Sequence, residues 1–213
     1  MTRDRELITP GQRFGERLGR PTSAESLQQK VHRAERDTLE LGWQTMIDDG
    51  SAITAAGLVA AARRRFVTGA GKSYALAYLL VTDLSVGLAQ VQLVDAASGQ
   101  GVSALTDVRP TDVLVAISLR RYRPETAALA GAFAERGGRV VAITDAIDSP
   151  VGAAAEVLIT VPTTSASHVD TVTAVVSACH LLTTLAAASA KGARRRIADR
   201  ELITDQLGLY PQE

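Results

Sequence analysis

The amino-acid sequence predicts an α/β protein, a three-layer α/β/α sandwich built on a five-stranded parallel sheet. Two observations support this prediction. Short runs rich in valine and isoleucine recur along the chain, and a helical or alanine-rich segment separates each run from the next. Parallel strands that are covered by helices on both faces have this apolar character. Because right-handed crossovers link only five strands, a flavodoxin-like sandwich is expected rather than a barrel.

Helices are expected before the sheet begins. Residues 1–22 are polar and rich in arginine and glycine, and we expect them to form a flexible tail. Ser23 is placed to cap a helix in which apolar residues recur at helical spacing as far as Gly50. A shorter, alanine-rich helix then runs from Ser51 to Ala62.

Strands and helices alternate through the rest of the chain. The five predicted strands are Arg65–Thr68, Ala89–Val94, Val113–Ile117, Val140–Thr144 and Val157–Val161. The predicted helices are Ser73–Gly87, Ser98–Leu105, Pro124–Arg136 and a long apolar helix that begins near His168. We therefore assign residues 23–190 to one α/β domain with its preceding helices, and residues 191–213 to a basic helix and tail.

Composition excludes several classes of protein. The chain has 213 residues, 46% of them hydrophobic, and a formal net charge of zero, which argues against disorder and against binding nucleic acid over the whole surface. The single cysteine, Cys179, excludes an intramolecular disulfide. Neither Met1–Arg20 nor the apolar stretch Val172–Ala190 has the features of a signal peptide or a membrane span. We expect a cytoplasmic protein without a membrane span, a metal or a cofactor.

A glycine-rich turn follows the first predicted strand. The segment that starts at Gly69 reads Gly-Ala-Gly-Lys-Ser and opens a helix, so Gly71 and Ser73 can approach an anion at the helix N-terminus. A P-loop would need a glycine in place of Phe66, and a dinucleotide-binding turn would need one in place of Tyr74. Two interpretations remain: the turn presents Ser73 to a phosphate or a sugar hydroxyl, or it is a tight turn without a ligand.

The loop after the third predicted strand combines hydroxyl and guanidinium groups. This loop and the helix start after it contain the polar residues Ser118, Arg120, Arg121, Tyr122, Arg123 and Thr126. Ligands of open α/β sheets bind at the carboxyl ends of strands, and these groups suit an anion such as phosphate. The alternative is a solvated basic loop in which Arg121 and Arg123 have no ligand role.

A third polar loop follows the fifth predicted strand and contains Ser165, Ser167, His168 and Asp170. Ser167 and Asp170 have the spacing of a helix capping box, with aspartate in place of the usual glutamate. An imidazole beside the predicted pocket can transfer protons near neutral pH. Contact with a sugar hydroxyl and plain surface exposure are the alternatives for His168.

The three loops in this order resemble the SIS (sugar isomerase) domain. The segment Ala-Ile-Ser-Leu-Arg-Arg-Tyr-Arg-Pro-Glu-Thr, and Val-Val-Ala-Ile-Thr-Asp followed by Ser149-Pro150, are most similar to the phosphosugar-sensing domain of RpiR-type transcriptional regulators. The similarity covers about residues 40–190. It implies that loop hydroxyls hold a sugar phosphate. The chain departs from the family's Ser-x-Ser-Gly-x-Thr motif, because only its first serine is present, at Ser118, with Thr126 as a late substitute.

Together these observations predict a substrate-binding set consisting of Gly69, Gly71, Ser73, Ser118, Arg120, Tyr122, Thr126, Ser165, Ser167 and His168. The resemblance implies a stand-alone phosphosugar-binding protein related to RpiR-type sensors. The first alternative is an aldose–ketose isomerase of sugar phosphates with His168 and Asp170 as catalytic residues, and the second is a scaffold whose pocket has decayed.

Two kinds of partner are considered. Residues 1–50 contain too few helices for a helix-turn-helix domain, so we do not expect direct DNA binding. Binding sites in the resembling family lie near a dimer contact. We therefore expect a homodimer or higher oligomer that uses Val172–Ala190 and the helix from Ser23.

Overall fold

The structure is a computed structural model, and it describes residues 9–210. Five strands form one sheet in the order β2-β1-β3-β4-β5, and every neighbouring pair is parallel. The strands are β1 (Arg64–Gly69), β2 (Val91–Val94), β3 (Asp112–Ser118), β4 (Arg139–Thr144) and β5 (Val157–Thr160). The predicted α/β fold with a five-stranded parallel sheet is confirmed.

Helices cover both faces of the sheet. The helices are α1 (Pro10–Leu18), α2 (Ala24–Asp49), α3 (Ser51–Ala61), α4 (Lys72–Gly87), α5 (Gly99–Thr106), α6 (Pro124–Glu135), α7 (Thr173–Ser189) and α8 (Ala193–Gln206). One hydrophobic core lies between the sheet and α2, α3, α4 and α7, and a second lies between the sheet and α5 and α6. The central strand β3 is buried along its whole length and supplies alternate side chains to the two cores.

The chain changes direction across the sheet between its first and third strands. Strand β2 lies on one side of β1, whereas β3 lies on the other side. The loops that leave the carboxyl ends of β1 and β3 therefore diverge, and a crevice opens between them. This arrangement is the topological switch point at which open α/β sheets bind ligands.

The N-terminal helices begin and end at residues with local capping chemistry. The Ser23 hydroxyl accepts a hydrogen bond from the Ser26 amide at 3.2 Å, and Gly50 ends α2 in the left-handed conformation at φ 63°. Both caps agree with the sequence prediction. A central glycine of α2, Gly42, lies where an added Cβ would be 3.0 Å from the Ala174 side chain, so this helix packs closely on α7.

The structure corrects the expectation of a flexible tail before Ser23. Residues Pro10–Leu18 form α1, and Thr9 and Gln12 make a capping box at its start. Pro10 stands in the first turn, where its missing N–H group costs no helical hydrogen bond. Residues 1–8 and 211–213, which belong to the two predicted tails, lie outside the described residues.

A second correction concerns the start of the long apolar helix. This helix, α7, begins at Thr173 rather than near His168, so residues 161–172 form a loop along the carboxyl edge of the sheet. The interpretation of Asp170 as part of a helix cap is therefore wrong. Its carboxylate instead forms an ion pair with Arg13 of α1 at 2.8 Å.

Within residues 9–210, no single helix is both long enough and apolar enough to cross a membrane. The pair α7 and α8 meets the length and composition criteria only when the two helices are taken together, and they are bent by 107°.

Candidate functional site

A cavity of about 700 Å³ lies at the switch point of the sheet. Its walls come from the loops after β1 and β3, the loop before α7, and helix α1. Five of the residues predicted from the sequence line it: Gly71, Ser73, Arg120, Tyr122 and Asp170. A volume of this size falls within the range of pockets that bind small molecules.

The first wall is the glycine turn between β1 and α4. A Cβ added to Gly69 would lie 2.5 Å from the carbonyl oxygen of Ser73, so this close approach requires glycine. Gly71 has φ 58° and ψ −125°, a backbone conformation that side chains disfavour. Helix α4 has no side-chain cap, and Ser73 in its first turn is only 5% exposed at the cavity wall. The turn therefore presents a helix N-terminus and a hydroxyl to a ligand.

Replacement of Gly69 by alanine is expected to destabilise the protein by about 1–3 kcal/mol, because backbone has to move to accept the added methyl group. Urea unfolding followed by circular dichroism measures this loss. The matched control is Gly57→Ala in α3, where an added Cβ meets nothing within 4 Å. Because alanine favours a helix interior, this control should be stabilised by about 0.5–1 kcal/mol. Equal effects of the two substitutions would contradict the steric argument.

The second wall is the loop after β3, and Asp145 at the end of β4 holds it in place. The Arg120 amide donates to Asp145 Oδ1 at 3.2 Å, and Arg120 Nε lies 3.6 Å from Oδ2 of the same carboxylate. The Tyr122 hydroxyl is also hydrogen-bonded to Asp145. Burial raises the pKa of Tyr122, and the negative charge of Asp145 raises it further. Tyr122 is therefore a neutral phenol near physiological pH.

Two further arginines lie on the rim of this wall. Arg121 and Arg123 both line the cavity and are exposed, and Arg123 Nε lies 3.5 Å from Glu125 Oε1. Ser118 and Thr126, in contrast, are only 3% and 1% exposed and do not line the cavity. The arginine-rich part of the predicted binding loop thus faces the cavity, while two of its predicted hydroxyls are buried behind it.

The third wall is the loop before α7, which α2 holds at two points. The Thr38 hydroxyl donates to the Thr164 carbonyl at 2.9 Å. Further along the loop, the hydroxyls of Thr171 and Thr173 both donate to Glu35 Oε2, at 2.6 and 2.5 Å. These contacts join residues that are more than 120 positions apart in the sequence, and they fix the loop against the cavity.

Three residues predicted for this wall lie outside the cavity lining. Ser165 is buried, and its hydroxyl accepts a hydrogen bond from the Ser167 amide at 3.0 Å, as in a local turn. His168 is exposed, and its ring contacts the edge of Phe14 at a centroid distance of 6.3 Å. The interpretation of His168 as a surface residue therefore agrees with its position, and an imidazole is missing from the lining that the structure describes.

Asp170 is the carboxylate of the described cavity wall. Burial raises its pKa, and the charges of Arg13, Arg120 and Arg17 oppose this effect. The Lys72 ammonium donates to the backbone carbonyl of Asp170 at 2.5 Å, which ties the first wall to the third. Within residues 9–210, no group of three or more His, Cys, Asp or Glu side chains is arranged to hold a metal ion.

Sequence reasoning missed several residues of the site. The lining also contains Pro10, Arg13, Lys72, Thr163 and Thr171. A signal for α1 was present in the Thr-Pro-Gly-Gln segment that begins at Thr9, because threonine followed three residues later by glutamine is typical of a capping box. Nothing local indicates that Arg13 turns toward a loop more than 150 residues away. The cations of the described lining are Arg13, Lys72, Arg120, Arg121 and Arg123, and one carboxylate accompanies them.

Comparison with known families assigns the fold. A model of the SIS domain matches residues 58–186, which is more than half of the chain. The chain belongs to the SIS domain family. The resemblance seen in the three loops is thereby confirmed, and the cavity lies at the carboxyl edge of this SIS domain's sheet.

Solved structures with the same fold include sensors and sugar-phosphate complexes. The sugar isomerase domain of an RpiR transcription factor from Sphaerobacter thermophilus has a TM-score of 0.76 and 23% identity, covering 84% of this chain and 98% of that one. Vibrio vulnificus NanR complexed with ManNAc-6P has a TM-score of 0.70 and 16% identity, with 83% and 68% covered. E. coli CFT073 c3406 in complex with arabinose 5-phosphate has a TM-score of 0.60 and 15% identity, with 75% and 88% covered. No curated protein sequence matches this SIS domain chain.

Proposed function

We propose that this SIS-domain protein binds a phosphorylated sugar in the cavity at the switch point. The observation that carries the proposal is the gathering of five cationic side chains, the Tyr122 hydroxyl and the N-terminus of α4 around one cavity of about 700 Å³. Guanidinium and ammonium groups bind phosphate through charge-assisted hydrogen bonds, and a helix N-terminus adds further donors. The complexes of NanR with ManNAc-6P and of c3406 with arabinose 5-phosphate support the same class of ligand.

Binding without turnover is the form of this function that the site favours. Isomerisation of a sugar phosphate needs a base that moves a proton between adjacent carbons. The candidate base His168 points away from the described cavity lining, and Asp170 is paired with Arg13 at 2.8 Å. We therefore propose a phosphosugar-binding protein related to RpiR-type sensors, with the isomerase as the second candidate because Asp170 remains at the wall.

A homodimer is the assembly that we propose for this protein. Helices α4 and α7 pack side by side, and both leave apolar side chains on the surface. Tyr74 and Tyr78 of α4 are 43% and 61% exposed, and Val176 of α7 is 37% exposed. Because α4 begins at the cavity, a second copy packed on this face would lie next to the ligand site. Analytical ultracentrifugation of the wild type and Tyr78→Lys tests this proposal, and a monomeric wild type would contradict it.

The binding proposal is tested with a panel of sugar phosphates and the corresponding unphosphorylated sugars. A ligand present at about 100 times its Kd stabilises the native state by about 2.7 kcal/mol. For a domain of this size we expect the melting temperature to rise by roughly 5–11 °C. The unphosphorylated sugars serve as the control and should have no effect. A panel without any stabilising sugar phosphate would overturn the proposal.

NMR spectroscopy of the same mixtures separates the two candidate functions. A sensor leaves the aldose and the ketose of each sugar phosphate unchanged, whereas an isomerase interconverts them. We expect stabilisation without interconversion. Turnover that Asp170→Asn abolishes would instead establish the isomerase, with Asp170 as its base.

A further inference from the structure

Helix α1 contacts the rest of the protein mainly through two arginines. Most of the helix is exposed, including Phe14 at 54% exposed, yet Arg13 is only 5% exposed. Arg13 and Arg17 are four residues apart and therefore share one face of the helix. Arg17 donates to the Ser167 carbonyl at 2.7 Å, and Arg13 forms the 2.8 Å ion pair with Asp170. The helix thus carries buried cationic groups to the third wall of the cavity.

Several cations surround the single carboxylate of Asp170. Arg13 and Arg17 lie 2.8 and 3.7 Å from its two oxygens, and the charge of Arg120 also acts on it. One carboxylate brings a single negative charge, whereas a phosphate monoester brings up to two charges and three acceptor oxygens. The cluster therefore has more positive charge than Asp170 neutralises, and its open side faces the cavity that Arg13 lines.

Carboxylate and phosphate are interchangeable partners for a guanidinium group, because both accept its paired N–H donors. A buried guanidinium without an anionic partner is costly, so Asp170 stabilises Arg13 when no ligand is bound. The same carboxylate repels an incoming phosphate. Asp170 therefore has two opposed effects: it supports the fold of α1, and it lowers the affinity for an anionic ligand.

We propose that Arg13, carried by α1, is a ligand-binding residue, and that Asp170 is an internal counter-ion which the ligand's phosphate displaces from it. This inference rests on the proposed sugar-phosphate function and extends it to a segment outside the matched SIS region. Binding then exchanges one partner of Arg13 for another, and α1 becomes a strap that the bound phosphate holds over the cavity. Asp170 sets how strongly an anion must bind before the exchange occurs.

The test compares two variants that break the same ion pair. If the pair were only structural, Arg13→Gln and Asp170→Asn would change ligand affinity in the same direction. Our proposal predicts opposite directions. Arg13→Gln should bind roughly tenfold or more weakly, because a charge-assisted hydrogen bond to phosphate is lost. Asp170→Asn should bind several-fold more tightly, because the competing negative charge is removed.

Isothermal titration calorimetry of the full chain gives the affinities, with inorganic phosphate, arabinose 5-phosphate and ManNAc-6P as probes. Arg20→Gln is the matched control, since it removes the same charge from an exposed position beyond α1 and should bind like the wild type. The double variant Arg13→Gln with Asp170→Asn leaves no buried charge unpaired. It should recover the stability lost in Arg13→Gln, measured in urea, while it keeps the weak binding.

The outcomes separate this inference from the proposed function. Affinities that fall in both single variants, while the wild type still binds sugar phosphates, would overturn the role of Asp170 and leave the proposed function standing. Opposite changes measured with inorganic phosphate, without tighter binding of any sugar phosphate, would support the exchange at Arg13 and overturn the sugar. A wild type that binds none of the probes would overturn both.

Discussion

Replacement of Asp145 by alanine is expected to weaken ligand binding by roughly two orders of magnitude. Asp145 does not line the cavity itself, but it accepts from the Arg120 amide at 3.2 Å and from the Tyr122 hydroxyl. Both residues line the cavity, and both lose their orientation without the carboxylate. A loss of about 3 kcal/mol, equivalent to one or two hydrogen bonds with charged groups, corresponds to this change in affinity.

Two further variants make the role of Asp145 specific. Asp145→Asn keeps an oxygen acceptor for the Arg120 amide and should recover part of the affinity. Asp95→Ala is the matched control, because Asp95 follows the neighbouring strand β2 and accepts from the Ala97 amide at 3.0 Å, away from the cavity. Calorimetry with the best-binding sugar phosphate measures all three variants. An Asp145→Ala protein that folds and binds like the wild type would show that the loop orders without this carboxylate.

The largest expected loss of stability follows the replacement of Asp112 by alanine. The Asp112 side chain is fully buried at the start of β3, and its carboxylate lies 2.6 Å from a terminal nitrogen of Arg64. The Arg109 amide donates to the same carboxylate at 2.9 Å. Removal of one partner of a buried ion pair costs about 3–5 kcal/mol, because the remaining charge has no counter-ion. Urea unfolding should show this loss without a change in the far-ultraviolet circular dichroism of the folded protein.

The surface pair of Arg139 and Glu156 provides the control for Asp112. Its geometry is equally good, with N–O distances of 2.8 and 2.6 Å, but the two side chains are 42% and 47% exposed. Glu156→Ala is therefore expected to cost less than about 1 kcal/mol. Similar losses in Asp112→Ala and Glu156→Ala would contradict the view that burial sets the difference.

Asp112 also contributes to the response of the protein to acid. Burial by itself would raise the pKa of Asp112, but the hydrogen bonds from Arg64 and from the Arg109 amide outweigh it and hold the pKa below its usual value. A carboxylate with a lowered pKa stabilises the folded state above its unfolded pKa, near 4, and this contribution disappears as the pH falls through the folded pKa. Asp112→Asn should therefore flatten the loss of stability below about pH 4, measured by urea unfolding at a series of pH values.

Local patterns were sufficient to predict the sheet and two walls of the cavity. Strand β3 is an unbroken apolar run followed by Ser118, and Gly69 and Gly71 mark the turn after β1. Such features depend on residues that are close in the sequence, and the order of the loops added the family. The positions of Arg120 and Tyr122 at the cavity followed from their place at a strand end.

The third wall and α1 depend on contacts that no local pattern contains. Helix α7 starts five residues later than predicted, since the hydroxyls of Thr171 and Thr173 bond to Glu35 instead of leaving His168 at a helix start. The partner of Arg13 is Asp170, 157 positions further along the chain. Contacts of this kind are decided by the packed tertiary structure, and they moved His168 out of the site while they brought Arg13 into it.

Glu35 supplies what α7 lacks in its own sequence. The residue before this helix is Val172, which offers no capping side chain, and the negative charge that favours a helix N-terminus comes from α2. The SIS match begins at residue 58, well after Glu35. The functional unit is therefore larger than the homologous unit, and a fragment cut at the family boundary would keep the sheet while it lost the anchor of its binding wall.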